Sequence, residues 1–346
     1  MSTQPGALMA EEIAAQPAVL AGLLARRDEL AEIAAAAAAT RPRFVLLAAR
    51  GSSDHAALYA KYLVEVLLGL PAGLVSPSTT TLYGATPDLD GVLWLAVSQS
   101  GGSPDLVQAT EAAARNGART LAVTNTPDSP LAAAAELSFD LGAGVEAAVA
   151  ATKTYTASLL ALYLFVDALR GGDGRAAADL ADLAERALAD AEGPVATATE
   201  VMREADRLLT TGRGYSSATA AEAALKLAET SYLAARAYSG ADLLHGPVAA
   251  VDPDVRVLAV TSAGHGGTAM REVLDVLRQR GSDIVAVGSA AADVPAAVRI
   301  DVPVTAEEVA PVLEILPLQL LSLRCALARG VDPDRPRGLS KVTRTR

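Results

Sequence analysis

Two strand-and-loop junctions recur in this chain at one spacing of 163 residues, and that repeat limits the possible folds more than any other feature. Arg50-Gly51 returns as Arg213-Gly214, Ala96-Val97-Ser98 as Ala259-Val260-Thr261, and Gly101 as Gly264. Shared helix-and-strand patterning alone would not hold separate junctions to a common offset. The period is far too long for a solenoid, so the chain reads as a duplicated domain. With 346 residues, 51% hydrophobic and 20% charged, there is enough apolar material for two cores. Aromatics make up only 3%, and the abundant alanine suits closely packed helices.

Within the first copy, Arg43-Phe44-Val45-Leu46-Leu47-Ala48 is an apolar run that ends at Gly51-Ser52-Ser53. Val92–Val97 is a second such run, leading into Ser98-Gln99-Ser100-Gly101-Gly102-Ser103. Pro104–Asn116 then reads as a helix with proline in its first turn, where the missing N–H costs nothing. Thr120–Thr124 is a further strand. Buried strands alternating with helices predict an α/β fold with a parallel, doubly wound sheet. In front of this, residues 11–39 predict two helices separated by Pro17. Thr154–Leu169 and Ala176–Asp190 read as helices on either side of the turn Gly171–Gly174. In the second copy, Leu208–Thr211 reads as a strand and Ala218–Ala235 as a helix. The expected division is N-terminal helices in 1–40, a first domain in 41–172, a second in 173–330 and a tail in 331–346.

The net charge is −11, and no Lys/Arg-rich run breaks the acidic balance, which argues against a nucleic-acid partner. Cys325 is the single cysteine and cannot form an internal disulfide. Met1–Ala10 lacks a basic n-region and an apolar h-region. Ser158–Val166 is too short to span a bilayer. The expectation is a soluble, cytoplasmic protein without a membrane partner.

The loop Ser98–Ser103 carries the strongest chemical signal. It joins a buried strand to a helix start, the position at which open α/β sheets bind ligands. Helix N-termini attract anions, serine hydroxyls add donors, and Gly101-Gly102 allows close backbone approach. Serines can also simply cap a helix. Three serines and two glycines in six residues exceed that need, and the loop reads as a phosphate holder. It lacks both the P-loop lysine and the dinucleotide fingerprint. Ser52 and Ser53 form a weaker cluster at another strand end.

Glu222, Lys226 and Glu229 share one face of the 218–235 helix. A solvated ion-paired stripe and a buried face suited to proton transfer are both open on the helix alone. His245, in the turn His245-Gly246-Pro247, is either a surface histidine or an acid/base group. The dispersed histidines and lone cysteine give no metal pattern. The tail Asp332–Lys341 reads as a frayed terminus unless its lysine acts on a carbonyl.

Taken together, these segments resemble the sugar isomerase (SIS) domain family, and more closely the isomerase half of glutamine–fructose-6-phosphate transaminase. The resemblance runs from Met9–Pro17 through Ser98–Gly101, Ala150-Ala151-Thr152-Lys153, Glu222–Glu229, His245–Pro247 and Pro317–Leu321 to Pro336–Lys341. It implies two tandem SIS domains, each a parallel-sheet three-layer α/β/α sandwich. It further implies that Ser98, Gln99, Ser100 and Ser103 hold a sugar phosphate, with Ser52, Ser53 and Lys153 close by. Glu229 would move a proton between C1 and C2, with Glu222 and Lys226 in support. His245 would assist ring opening from the neighbouring subunit of a homodimer, and Lys341 would meet the open-chain sugar. No cofactor is implied.

Two departures bear on activity. The transaminase carries an N-terminal glutaminase domain with a terminal cysteine, whereas this chain starts Met1-Ser2. Gly102-Ser103-Pro104-Asp105 also replaces the transaminase's Glu-Thr pair and looks like the stand-alone deaminases of amino-sugar phosphates. The expectation is a glucosamine-6-phosphate deaminase. The alternatives are a transaminase-type isomerase, a deaminase or deglycase of galactosamine 6-phosphate or fructosamine 6-phosphate, and a non-catalytic phosphosugar sensor.

Overall fold

The computed structural model describes residues 4–341. Two five-stranded sheets are present, and every strand pair in both is parallel. The first holds β1 (Phe44–Ala48), β2 (Ala72–Leu74), β3 (Val92–Ser98), β4 (Arg119–Thr124) and β5 (Leu137–Asp140) in the order β2-β1-β3-β4-β5. The second holds β6 (Arg207–Gly212), β7 (Ala235–Ser239), β8 (Val255–Val260), β9 (Asp283–Gly288) and β10 (Val298–Asp301) in the order β7-β6-β8-β9-β10. The two orders are the same when read from the edge strand that follows the first strand of each copy. Their first residues keep the sequence offset as well: Phe44 and Arg207, Ala72 and Ala235, and Val92 and Val255 are each 163 positions apart. The duplication expected from two junctions therefore extends over whole sheets.

Parallel sheets are covered by helices on both faces, which calls for strands that are apolar throughout. β3 meets this demand, with Leu93–Ser98 all buried. In the first copy Trp94, Ala96, Leu106, Ala109, Ala122 and Leu131 share one core cluster. In the second, Val257, Ala259, Met270, Leu274, Ile284 and Ala286 form the equivalent cluster. Alanines on strand and helix let the layers approach closely without large side chains.

The chain divides into two compact units. One contains the first sheet and is assembled from Val19–Glu146, Lys153–Ala178 and the C-terminal Ser340 and Lys341. The other contains the second sheet and is assembled from the described residues up to Ala18, Ala147–Thr152 and Asp179–Leu339. In the latter, helix Ala310–Ala328 packs on helices Leu180–Met202 and Ser216–Ser231. The stretch Glu307–Ala328 is long and apolar enough to cross a membrane, but 94% of its most apolar 18-residue window is buried, as in a core helix of its unit.

Several helix limits differ from the sequence expectation. Three helices, Ala7–Ala14, Gln16–Ala25 and Arg27–Ala38, precede β1 where two were expected. The second break falls at Arg26, whose guanidinium binds Glu29 and the Asp140 carbonyl and lies 5.0 Å from the centre of the Phe139 ring. The expected helix 218–235 runs instead from Ser216 to Ser231. Tyr232 ends it in the left-handed conformation (φ 56°), and Ala235 begins β7. The helix expected over 176–190 spans Leu180–Met202 and carries Pro194 within it.

Candidate functional site

The order β2-β1-β3-β4-β5 puts a topological switch point between β1 and β3, and ligands of open α/β sheets bind outside such points. Both serine clusters of the first copy lie there. Ser52 and Ser53 open helix Ser52–Leu63 directly after β1. Ser98 closes β3, and Gln99–Ser103 lead into helix Pro104–Arg115. Ser98 is buried, while Ser52, Ser53, Gln99, Ser100 and Ser103 are half-buried. Ser98 Oγ accepts from the Gly101 amide (3.2 Å), and Ser100 Oγ from the Gly102 amide (3.3 Å). Ser103 precedes the helix but makes no side-chain cap bond to it, so capping does not account for its hydroxyl.

Neighbouring strand ends hold this loop in shape. The Gln99 carbonyl accepts the Asn125 amide (3.1 Å), and the Gly101 carbonyl accepts the Leu131 amide (3.0 Å). Gly101 has φ 58°, and a Cβ there would lie 2.1 Å from Ser129 Oγ, so both conformation and space require glycine. A further brace leaves no local signal in the sequence. Arg50 binds Asp105 through Nε (2.9 Å) and Nη2 (2.8 Å), joining the loop after β1 to the helix after β3. Asp105 is only 3% exposed, so this pair fixes the spacing of the two serine clusters. The proline-aspartate sequence noted above thus has a mechanical role.

Lys153 opens helix Lys153–Leu169, and its Nζ donates to the Val145 carbonyl at 2.6 Å. Lys341 Nζ lies 2.8 Å from Glu146 Oε2. That carboxylate also accepts the Thr154 amide (3.1 Å) and hydroxyl (2.6 Å). Glu146 sits in an irregular segment with no periodicity, which left it without a signal in the sequence.

In the other unit, helix Ser216–Ser231 brings together the three charged residues expected on one face. Glu222 and Lys226 are buried, so the solvated-stripe alternative fails for them. Lys226 Nζ lies 2.5 Å from Glu229 Oε2 and 3.6 Å from Glu222 Oε1. Glu229 keeps a quarter of its side chain exposed. One cation thus stands between a buried carboxylate and a partly accessible one. His245 follows the short helix Gly240–Leu244 and is exposed. Among the described residues its imidazole shares no hydrogen bond with Glu229.

The tail is tied down at Asp332, Asp334 and Arg337 as well. Asp334 accepts the Leu8 and Met9 amides, both at 2.9 Å, at the start of helix Ala7–Ala14, and Asp332 accepts the Gly6 amide at 3.0 Å. The Arg337 amide donates to Tyr232 Oη (2.8 Å), and its guanidinium lies 4.1 Å from the centre of that ring. Another buried carboxylate, Glu314 on helix Ala310–Ala328, accepts Ser216 Oγ (2.9 Å) and Thr219 Oγ1 (3.1 Å). Burial pushes its pKa up to about 7, against the hydrogen bonds from Ser216, Ser262 and Thr219.

The chain belongs to the SIS domain family, which it matches over residues 40–168 and 201–329. It is 37% identical over 313 residues to the isomerizing glutamine–fructose-6-phosphate aminotransferase of Gloeobacter violaceus, covering 86% of this chain and 51% of that protein. The chain therefore spans about half the length of this curated relative. A candidate phosphosugar isomerase from Silicibacter pomeroyi has a similar structure, with TM-score 0.87, 35% identity, and coverage of 94% of this chain and 99% of that one. The Thermotoga maritima glucosamine-6-phosphate deaminase shares the fold, with TM-score 0.79 at 23% identity over 98% of this chain and 100% of that one.

Proposed function

We propose that this protein is a phosphosugar aldose–ketose isomerase that acts as a deaminase, turning glucosamine 6-phosphate and water into fructose 6-phosphate and ammonia. The observation that carries this reading is the loop Ser98–Ser103, a braced set of hydroxyls and backbone amides outside the switch point of the first sheet. Such a loop suits a phosphate monoester. In the reading, Ser98, Gln99, Ser100 and Ser103 hold the phosphate, with Ser52, Ser53 and Lys153 in support.

Glu229 is the proton carrier. After ring opening exposes the C1 aldehyde, the carboxylate takes the C2 proton and an enolamine forms. Delivery of that proton to C1 leaves an imine at C2. Water adds to the imine carbon, the C–N bond breaks, and ammonia leaves as the ketone forms. Lys226 holds the Glu229 carboxylate in position, and Glu222 balances its charge from the buried side. His245 is read as the ring-opening group, acting on the partner's substrate in a homodimer, which suits its exposure on a single chain. Lys341 is read as contacting the open-chain sugar.

The Ser103-Pro104-Asp105 sequence favours deamination over amino transfer. The identity to the Gloeobacter aminotransferase favours a second reading, an isomerase that receives ammonia from a glutaminase. Purified protein with glucosamine 6-phosphate should release ammonia and fructose 6-phosphate in equal amounts. Parallel assays with galactosamine 6-phosphate, fructosamine 6-phosphate, and fructose 6-phosphate plus ammonia rank the alternatives. Ammonia release from none of the amino-sugar phosphates would sink the deaminase reading.

A further inference from the structure

The second copy repeats the strand-end architecture of the first, including a loop and a helix start. The offset of 163 aligns Thr261-Ser262-Ala263-Gly264-His265-Gly266 with Ser98–Ser103. Helix His265–Gln279 follows, and no side chain of its N-cap residue bonds its first turn. A carboxylate from elsewhere does so instead. The His265 amide donates to Glu307 Oε2 at 2.9 Å, and the Gly266 amide donates to Glu307 Oε1 at 2.7 Å. These amides are the counterparts of those of Gly102 and Ser103 in the first copy.

The surroundings are adapted to this internal anion. A Cβ on Gly264 would lie 2.3 Å from Glu307 Oε2, and one on Gly266 would lie 3.0 Å from Oε1. Glycine at both positions is what admits the carboxylate. Two of the three serine positions of the first loop have lost their hydroxyl, since Gly266 stands where Ser103 does, while Thr261 keeps one at the position of Ser98. Ala263 replaces Ser100, and Ser262 Oγ lies 3.0 Å from Ser216 Oγ beneath the loop. A pocket of about 680 Å³ opens beside the loop, lined in part by Gly264, Gly267, Thr268, Arg271 and Ser289. Space and a cation are therefore at hand, and the helix start is held by Glu307.

We propose that Glu307 is a built-in substitute for a phosphate, filling the anion nest of the second copy and confining phosphate binding to the first. A duplicated phosphate-binding fold would thereby take one phosphate per chain. That count rests on the phosphate role given above to Ser98–Ser103; the displacement of phosphate by Glu307 does not.

The test uses full-length protein, inorganic phosphate as the probe and backbone-amide NMR. In the wild type, phosphate should shift the amides of Ser98–Ser103 and leave those of His265 and Gly266 unmoved. In Glu307→Ala, the His265 and Gly266 amides should respond as well, and the bound phosphate should rise from one equivalent to two. Glu307→Gln keeps the shape and removes the charge, so it covers the case in which the alanine variant does not fold. It should give the same new response at weaker affinity. Folded variants whose His265 and Gly266 amides ignore saturating phosphate would overturn the proposal, as would a wild type in which those amides already respond. A wild type silent at Ser98–Ser103 would instead overturn the role of the first loop, and the separate amides tell the two failures apart.

Discussion

Lys226 lies between Glu222 and Glu229 on a single helix, 3.6 Å from one carboxylate and 2.5 Å from the other. Only Glu229 of the three is appreciably open to solvent. Its replacement by glutamine keeps size and hydrogen bonding but removes the ability to accept a proton. Glu229→Gln should lower kcat by roughly a hundredfold or more, with a much smaller change in KM. Steady-state kinetics on glucosamine 6-phosphate checks this, and unchanged turnover would remove Glu229 from the reaction.

Gly101 is required by its positive φ and by the nearness of Ser129. Gly101→Ala should cost about 1–3 kcal/mol from the strained backbone alone, with the contact at Ser129 adding to it. The loop would be displaced, so KM for the phosphorylated substrate should rise more than kcat falls. Ser100→Ala removes one hydroxyl without that strain, and should raise KM while leaving the melting temperature nearly unchanged. Thermal melts and kinetics on both variants separate loop shape from hydroxyl chemistry.

Glu314 predicts a pH dependence of stability. Its pKa is about 7 in the fold, against 4.5 for an ordinary glutamate. Between those values the folded chain holds a proton that the unfolded chain has lost, so stability falls as pH rises through this window. The loss approaches about 3 kcal/mol above pH 7, an order-of-magnitude figure. Glu314→Gln abolishes this contribution while keeping an acceptor for Ser216 or Thr219. Denaturant unfolding at pH 5 and pH 8 should show a smaller decline in the variant than in the wild type.

Asp334 accepts two amides at the start of helix Ala7–Ala14, whose own N-cap residue, Gly6, has no side chain to offer. Asp334→Ala should cost about 1 kcal/mol, as loss of a helix cap generally does. Faster hydrogen exchange confined to the amides of Leu8 and Met9 would locate the effect.

The strands over Phe44–Ala48, Val92–Val97 and Leu208–Thr211 were legible because they are apolar runs leading into glycine or hydroxyl residues. The edge strands were not. Ala72–Leu74 is too short, and Leu137–Asp140, Ala235–Ser239 and Val298–Asp301 mix polar residues into positions that face solvent. The serine loop and the Glu222–Glu229 face announced themselves through local spacing. The Arg50–Asp105 pair, the Glu146–Lys341 pair and the Glu307 carboxylate did not, because their partners are 55, 195 and about 40 residues apart and meet only through the fold. A run of Asp, Pro and Arg at the chain's end resembles a frayed terminus until the N-terminal helix is seen resting against it.

That last contact bears on the order in which the protein can be made. Helix Ala7–Ala14 is translated well before its partner, because the carboxylate that completes its first turn follows more than 300 residues later. Most of the unit around the first sheet comes from Val19–Ala178 and can gather while synthesis continues. Helix Ala7–Ala14 must wait, its first amides held by water, until Asp334 has been added to the chain.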